Sequence, residues 1–151
     1  MRHHQAGRKL GVSAPHRKAL LRSLTLALIE REGIRTTVAR AKDLRWYAER
    51  VVTLAKKNTI HSRRQIVKIL GSTQTHSSQG VNRARRAVDK IFSDLAPRFQ
   101  TRPGGYTRIV RLALPRVGDK SEMCLIQYLP SPQSAKAKGG KDKDERKSAG
   151  S

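Results

Sequence analysis

Acidic side chains are scarce in this 151-residue chain, and none occurs before Glu30. The 29 residues ahead of it carry Arg2, Arg8, Lys9, Arg17, Lys18 and Arg22, with His3, His4 and His16 among them. A folded core gains nothing from such a run, because the cations repel one another, whereas a polyanion stabilises it directly. The segment therefore reads as one that becomes ordered on nucleic acid. Cysteine is nearly absent too. The single Cys124 excludes an internal disulfide and any multi-cysteine zinc site, and it fits a reducing cytosol. With only six aromatic residues, the core has to be built from Leu, Val, Ile and Ala. No apolar run approaches the ~20 residues of a membrane span. The start of the chain lacks the apolar stretch of a secretory signal, and residues 1–13 lack the amphipathic pattern of an organelle transit peptide.

Cations are abundant instead. There are 33 Lys+Arg against 11 Asp+Glu, a formal net charge of +22. A basic domain of this kind carries the electrostatic footprint of nucleic-acid binding. The tail from Ser131 to Ser151 holds six basic and three acidic residues, so +19 of the charge belongs to residues 1–130. Residues 50–88 contain nine basic residues and residues 95–118 contain five, and neither stretch contains an acid. Charge spread in this way suits a protein embedded in a polyanion better than one that rests on it by a single patch.

The order of elements follows from punctuation and periodicity. Ser13 precedes a helix with Pro15 in its first turn, where the missing N–H costs nothing. Leu21, Leu24 and Leu28 recur at helical spacing and Gly33 supplies a stop. Ile34–Thr37 reads as a short strand, and Thr37 as the cap of a second helix striped by Leu44, Ala48, Val51 and Ala55. A third helix is expected from about Ile60 to Leu70. Residues 71–80, polar and glycine-bounded, read as an insertion. Ala84, Val88, Ile91 and Leu95 mark a fourth helix ended by Pro97. Tyr106–Leu114 and Glu122–Leu129 then read as an antiparallel hairpin across a Gly118-Asp119 turn. The expected fold class is α+β, a two-layer domain with helices packed on a short mixed sheet in the order α-β-α-α-α-β-β. It comprises a basic arm over residues 1–12, one domain over 13–130 and a Lys-rich disordered tail over 131–151.

Nothing in the pattern calls for catalysis. The five histidines have no matching carboxylate or cysteine at metal-ligand spacing. Cys124 alternates with Ile126 along an expected strand and reads as a small buried hydrophobe. Gly104-Gly105 lacks the surroundings of a Walker or Rossmann loop. Its value is conformational, since glycine turns the chain and lets backbone approach a phosphate. The cations carry the functional reading. His16, Arg17 and Lys18 sit in the first turn of the first helix, where free N–H groups already favour an anion. Arg40, Lys42 and Arg45 flank the start of the second helix, and Arg63 and Arg64 open the third. Arg98, Arg102 and Arg108 bracket Gly104, Gly105 and Tyr106. Trp46 shares a helix face with Arg50, Thr53 and Lys57, so it either stacks on a base or is covered by the tail or the 71–80 loop.

Several segments occur together in a recognisable order: MRH, GRKLG, HRKALLRSL, IRTT, RAKDLR, VTLAKK, PRF, GGYTRI and RVGDKSEM. In these the chain resembles the bacterial large-subunit ribosomal protein L17 family, over about residues 1–129. The 71–80 segment and the tail depart from it. The resemblance implies a non-enzymatic constituent of the large ribosomal subunit, in the cytoplasm, bound to large-subunit ribosomal RNA near the exit of the nascent-peptide tunnel. It implies neighbouring large-subunit proteins as partners, no cofactor or metal, no membrane and no homo-oligomer. Carried onto this chain, the RNA-facing set comprises Arg2, His3, His4, Arg8 and Lys9 in the arm, His16, Arg17 and Lys18 in the first helix, Arg40, Lys42 and Arg45, and Arg102, Gly104, Gly105, Tyr106 and Arg108 in TRPGGYTRI. The basic residues themselves add Arg22, Arg35, Arg63, Arg64 and Arg98 as candidate RNA contacts. The competing class, a free DNA-binding or chromosome-architectural protein, would offer a dimer interface and one groove-reading element. Here basic residues fall on most elements.

Overall fold

The computed structural model describes residues 7–71 and 83–130. Arg2, His3 and His4, the insertion beyond Gly71 and the 131–151 tail lie outside them. The described chain runs α1 (Ala14–Arg31), β1 (Gly33–Thr37), α2 (Val38–Lys56), α3 (Ile60–Leu70), α4 (Arg83–Lys90), a π-helical turn (Ile91–Leu95), α5 (Ala96–Arg98), β2 (Thr107–Arg111) and β3 (Met123–Tyr128).

Local chemistry explains where each helix begins and ends. Ser13 and Thr37 occupy the N-cap positions of α1 and α2, yet neither hydroxyl bonds a free amide. Thr59 does: its side chain accepts from the Ser62 amide at 3.1 Å and the Ser62 hydroxyl accepts from the Thr59 amide at 3.0 Å, a reciprocal cap on α3. The stop after α1 is Glu32, with φ 58°, and Gly33 is already the first strand residue. The left-handed conformation costs a non-glycine residue about 1–2 kcal/mol. The ion pairs of the Glu32 carboxylate offset it. Pro97 does not end the fourth helix, because the helix widens ahead of it. The Ala96 amide donates to Ile91 O, five residues back, and the chain continues helically through Arg98. A proline ring clashes with the carbonyl four residues earlier and offers no N–H, and a π turn relieves both problems without breaking the helix.

The sheet is antiparallel throughout, not mixed. β3 lies between β1 and β2 and runs opposite to each, so β1 and β2 share a direction without touching. The register pairs Thr36 with Cys124 and Ile34 with Ile126, and it places Ile109 beside Ile126. That face packs on the helices. Cys124 and Ile126 are fully buried there, with Tyr128 and Thr36 nearly so. Against them lie Leu28 and Ile29 of α1 and the α2 stripe Ala41, Leu44, Ala48, Val51, Val52 and Ala55, joined by Ile66, Ile91 and Leu95. The opposite face carries Arg35 and Val110, both in line with Leu125, and Arg108 in line with Gln127. Arg35, Arg108 and Val110 are exposed. The helices thus cover one side of the sheet and leave two arginines on the other.

Charge fastens α1 to the helical segment after residue 83. Carboxylates near a helix C-terminus oppose the helix dipole and need cations beside them. Arg83 holds Glu30 at 2.7 Å, and Glu32 takes Arg98 at 2.8 Å and Lys90 at 3.2 Å. Lys90 also donates to Glu30 O at 2.9 Å, and Arg98 reaches Asp94 at 2.8 Å. The hydrogen bond from Arg98, with the positive charge of Arg98 and Lys90, brings the Glu32 carboxyl down to about 2, against partial burial that pushes it up. A lowered carboxyl pKa stabilises the fold above the unfolded value and loses that contribution as pH falls towards 2. Discounted for the exposed part of the pair, it amounts to about 1–2 kcal/mol at neutral pH. Glu32→Gln is therefore expected to melt about 4–8 °C lower at pH 6, with the gap closing near pH 2. Identical melting curves at pH 6 would show that the Glu32 ion pairs do not stabilise the fold.

Candidate nucleic-acid interface

The end of the basic arm is positioned by α2. The Arg8 amide donates to Asp43 Oδ2 at 3.3 Å, leaving the Arg8 and Lys9 side chains exposed beside the first turns of α2. Neither α1 nor α2 has an acid in its first turn. His16 and Lys18 stand exposed at the start of α1, with Arg17 half-buried between them, and Arg40, Lys42 and Arg45 stand exposed on α2. The Val38 amide at the start of α2 donates to Glu122 O at 3.2 Å, yet both helix starts still set unneutralised cations at the positive end of a helix dipole, the arrangement that attracts phosphate. On α3, Arg63 and Arg64 are exposed, although the Arg63 guanidinium also covers the Phe92 ring at 4.2 Å.

The glycine turn is held from beneath. Lys56 donates to Arg102 O at 2.6 Å, and Arg102 Nε donates to Gly104 O at 3.0 Å. Gly105 takes φ 63°, and a Cβ built on Gly104 or Gly105 would meet no heavy atom within 4 Å. The backbone here is open to close approach from outside. Arg108 continues from the turn onto the uncovered sheet face, where Arg35 also stands.

Three residues expected at the interface are placed elsewhere. Arg22 turns inward: its Nε donates to Ile69 O at 3.1 Å and its Nη2 to Lys68 O at 3.3 Å, satisfying the last carbonyls of α3. Arg98 is occupied by Glu32 and Asp94, with its side chain 13% exposed. Tyr106 is core, 1% exposed, with its ring 5.2 Å from that of Phe99. Sequence reasoning shows that a residue is charged or aromatic, but not which backbone carbonyl or carboxylate folds back to meet it. It also passed over Arg85 and Arg86, both exposed on α4. The stripe Ala84, Ala87 and Val88 contained that signal, because it turns residues 85 and 86 to solvent. Cys124 is the buried hydrophobe expected, its Sγ donating to Thr36 O at 3.4 Å and its thiol pKa raised by burial.

The described carboxylates are mostly engaged within the chain. Glu30, Glu32, Asp94 and Asp119 hold arginines, Asp43 takes the Arg8 amide, and Glu49 accepts from the Thr107 hydroxyl. A family model for ribosomal protein L17 matches residues 20–129. The chain belongs to the ribosomal protein L17 family. It is 45% identical over 129 residues to the large ribosomal subunit protein bL17 of Fusobacterium nucleatum, covering 85% of this chain and all of that protein. The bL17 of Syntrophotalea carbinolica is 40% identical over 129 residues, covering 85% of this chain and 75% of its own length. That of Syntrophobacter fumaroxidans is 40% identical over 142 residues, covering 91% and 85%. The L17 family match takes in the α2 cations, the glycine turn and the hairpin, and it stops one residue after β3. His16, Arg17 and Lys18 lie just ahead of it.

Proposed function

We propose that this L17-family chain is a structural constituent of the large ribosomal subunit, binding large-subunit ribosomal RNA near the nascent-peptide exit beside other large-subunit proteins. One observation carries the reading: six of the carboxylates are engaged inside the chain, while exposed cations stand on several elements. The interface comprises Arg8 and Lys9, the His16–Lys18 turn, Arg40, Lys42 and Arg45, Arg64, Arg85 and Arg86, Arg102 and the two sheet arginines, Arg35 and Arg108. Arg2, His3 and His4 extend it along the arm. Such a surface contacts phosphates and reads shape more than sequence. Gly104 and Gly105 bring backbone amides up to a phosphate where a side chain would stand in the way. The location near the exit is part of the proposal and rests on the resemblance to the family. The role is architectural, in cytoplasmic ribosomes: the chain neutralises RNA that must fold closely, takes no cofactor and catalyses no step.

A free DNA-binding protein would concentrate its cations on one groove-reading element. Here they surround the domain. In a lysate washed at high salt, the chain is expected to sediment with large ribosomal subunits and to be absent from chromosomal DNA. Recovery on DNA, or only in the free fraction, would overturn the proposal.

A further inference from the structure

Trp46 is 58% exposed, although the same helix contributes six residues to the core. The indole is braced. It meets Tyr47 edge to face with centroids 5.1 Å apart, and Tyr47 itself packs against the core. The Arg50 guanidinium lies 5.3 Å from the indole centroid. The surrounding helix face is cationic, with Lys42, Arg45, Arg50 and Lys57 all exposed. The two carboxylates of α2, one turn to either side of Trp46, are engaged, Asp43 by the Arg8 amide at 3.3 Å and Glu49 by the Thr107 hydroxyl at 3.1 Å.

We infer that Trp46 is a stacking platform for an unpaired RNA base, with Arg50 and Lys42, one helical turn to either side, taking the flanking phosphates. The inference rests on the RNA-binding reading and adds a single-stranded element to it. Charge decides between occupants. The exposed charges around the ring, Lys42, Arg45, Arg50 and Lys57, are all positive, and the nearby carboxylates are already engaged, so the occupant has to bring negative charge. The tail is no better suited, since its six basic against three acidic residues carry the same sign as the patch. A nucleotide supplies both missing components, a flat π face for the ring and a negative backbone for Arg50 and Lys42. Because the ring is already held by Tyr47, stacking on it freezes little rotamer freedom.

The chain contains one tryptophan, so its fluorescence reports this ring alone. The probe is a single-stranded oligouridylate titrated into the full-length protein at moderate salt, with a duplex RNA of equal charge as control. The free protein is expected to show solvent-exposed emission that the oligouridylate quenches more than the duplex does. Trp46→Leu should weaken oligouridylate binding about tenfold, while Trp46→Phe retains most of it. The salt slope of Trp46→Leu stays that of the wild type, whereas Arg50→Gln lowers it by about 0.7 units. Blue-shifted emission in the free protein would mean that another segment covers the ring, and would overturn the inference. So would anisotropy that reports oligouridylate binding without quenching and with equal affinity for Trp46→Leu. Loss of incorporation into large subunits at unchanged RNA affinity would assign the ring to a protein neighbour and overturn it as well. No anisotropy change with either RNA would instead bring down the RNA-binding reading on which the inference depends.

Discussion

Tyr106→Ala is expected to lower the unfolding free energy by about 3–5 kcal/mol, the usual cost of truncating a fully buried aromatic. The ring is 1% exposed and lies against Phe99, which in turn contacts Tyr128 at 6.2 Å between centroids. Lys56 sits 5.5 Å above its centre, and the Tyr106 carbonyl accepts from the Leu129 amide at 3.0 Å. Removing the side chain opens a cavity at the junction of α2, the glycine turn and the sheet, where nothing small can collapse to fill it. Tyr106→Phe keeps that volume and gives up only the long Lys56–hydroxyl contact of 3.4 Å, so it should stay within about 1 kcal/mol of wild type. Urea unfolding of the two variants measures the difference. RNA binding by Tyr106→Ala should fall only in proportion to the unfolded fraction. A variant that is as stable as wild type but has lost RNA affinity would return Tyr106 to the interface.

The second large effect lies on α2. Neutralising Arg40, Lys42 and Arg45 together to Gln should reduce the salt slope of RNA binding by about two units, at roughly 0.7 per phosphate contact on single strands. At 0.15 M salt the affinity loss is then on the order of tens-fold, and it shrinks towards 1 M because the electrostatic term itself vanishes there. All three side chains are exposed, so the melting temperature should hardly change. A matched triple at Arg22, Arg83 and Arg98 would show the reverse pattern, because those guanidinium groups are bonded within the protein. Equal slopes for the two triples would dissolve the distinction between cations that face RNA and cations that hold the fold.

That distinction marks the limit of what the residues alone disclose. Periodicity located the α2 stripe, the α3 span and the inward face of β3 at Cys124 and Ile126, because those patterns repeat within a few residues. The hairpin was legible for the same reason. The antiparallel pairing of β1 with β3 was not, since Thr36 and Cys124 meet across 88 positions and nothing local encodes it. Pro97 and Gly33 misled because their usual roles were taken otherwise, the proline accommodated by a π turn and the left-handed stop supplied by Glu32. For the site, charge and its distribution were visible throughout. The partners of Arg22 and Arg98 were not, because a basic residue looks the same in sequence whether it faces a phosphate or a neighbouring helix. Arg35 and Arg108, by contrast, are found where strand alternation sends them.

The strand order has a consequence in time. Among the described residues β3 is the last element to leave the ribosome that makes it, yet it is the central strand, and there β1 and β2 pair with no other strand. Until Tyr128 has emerged, the two arginine-bearing edge strands are unpaired and the inner sheet face is missing from the core. The cationic N-terminal helix and its arm have been synthesised by then. Completion of the domain therefore waits on β3, a high-contact-order step, while the acid-free, cationic residues ahead of Glu30 are made well before it.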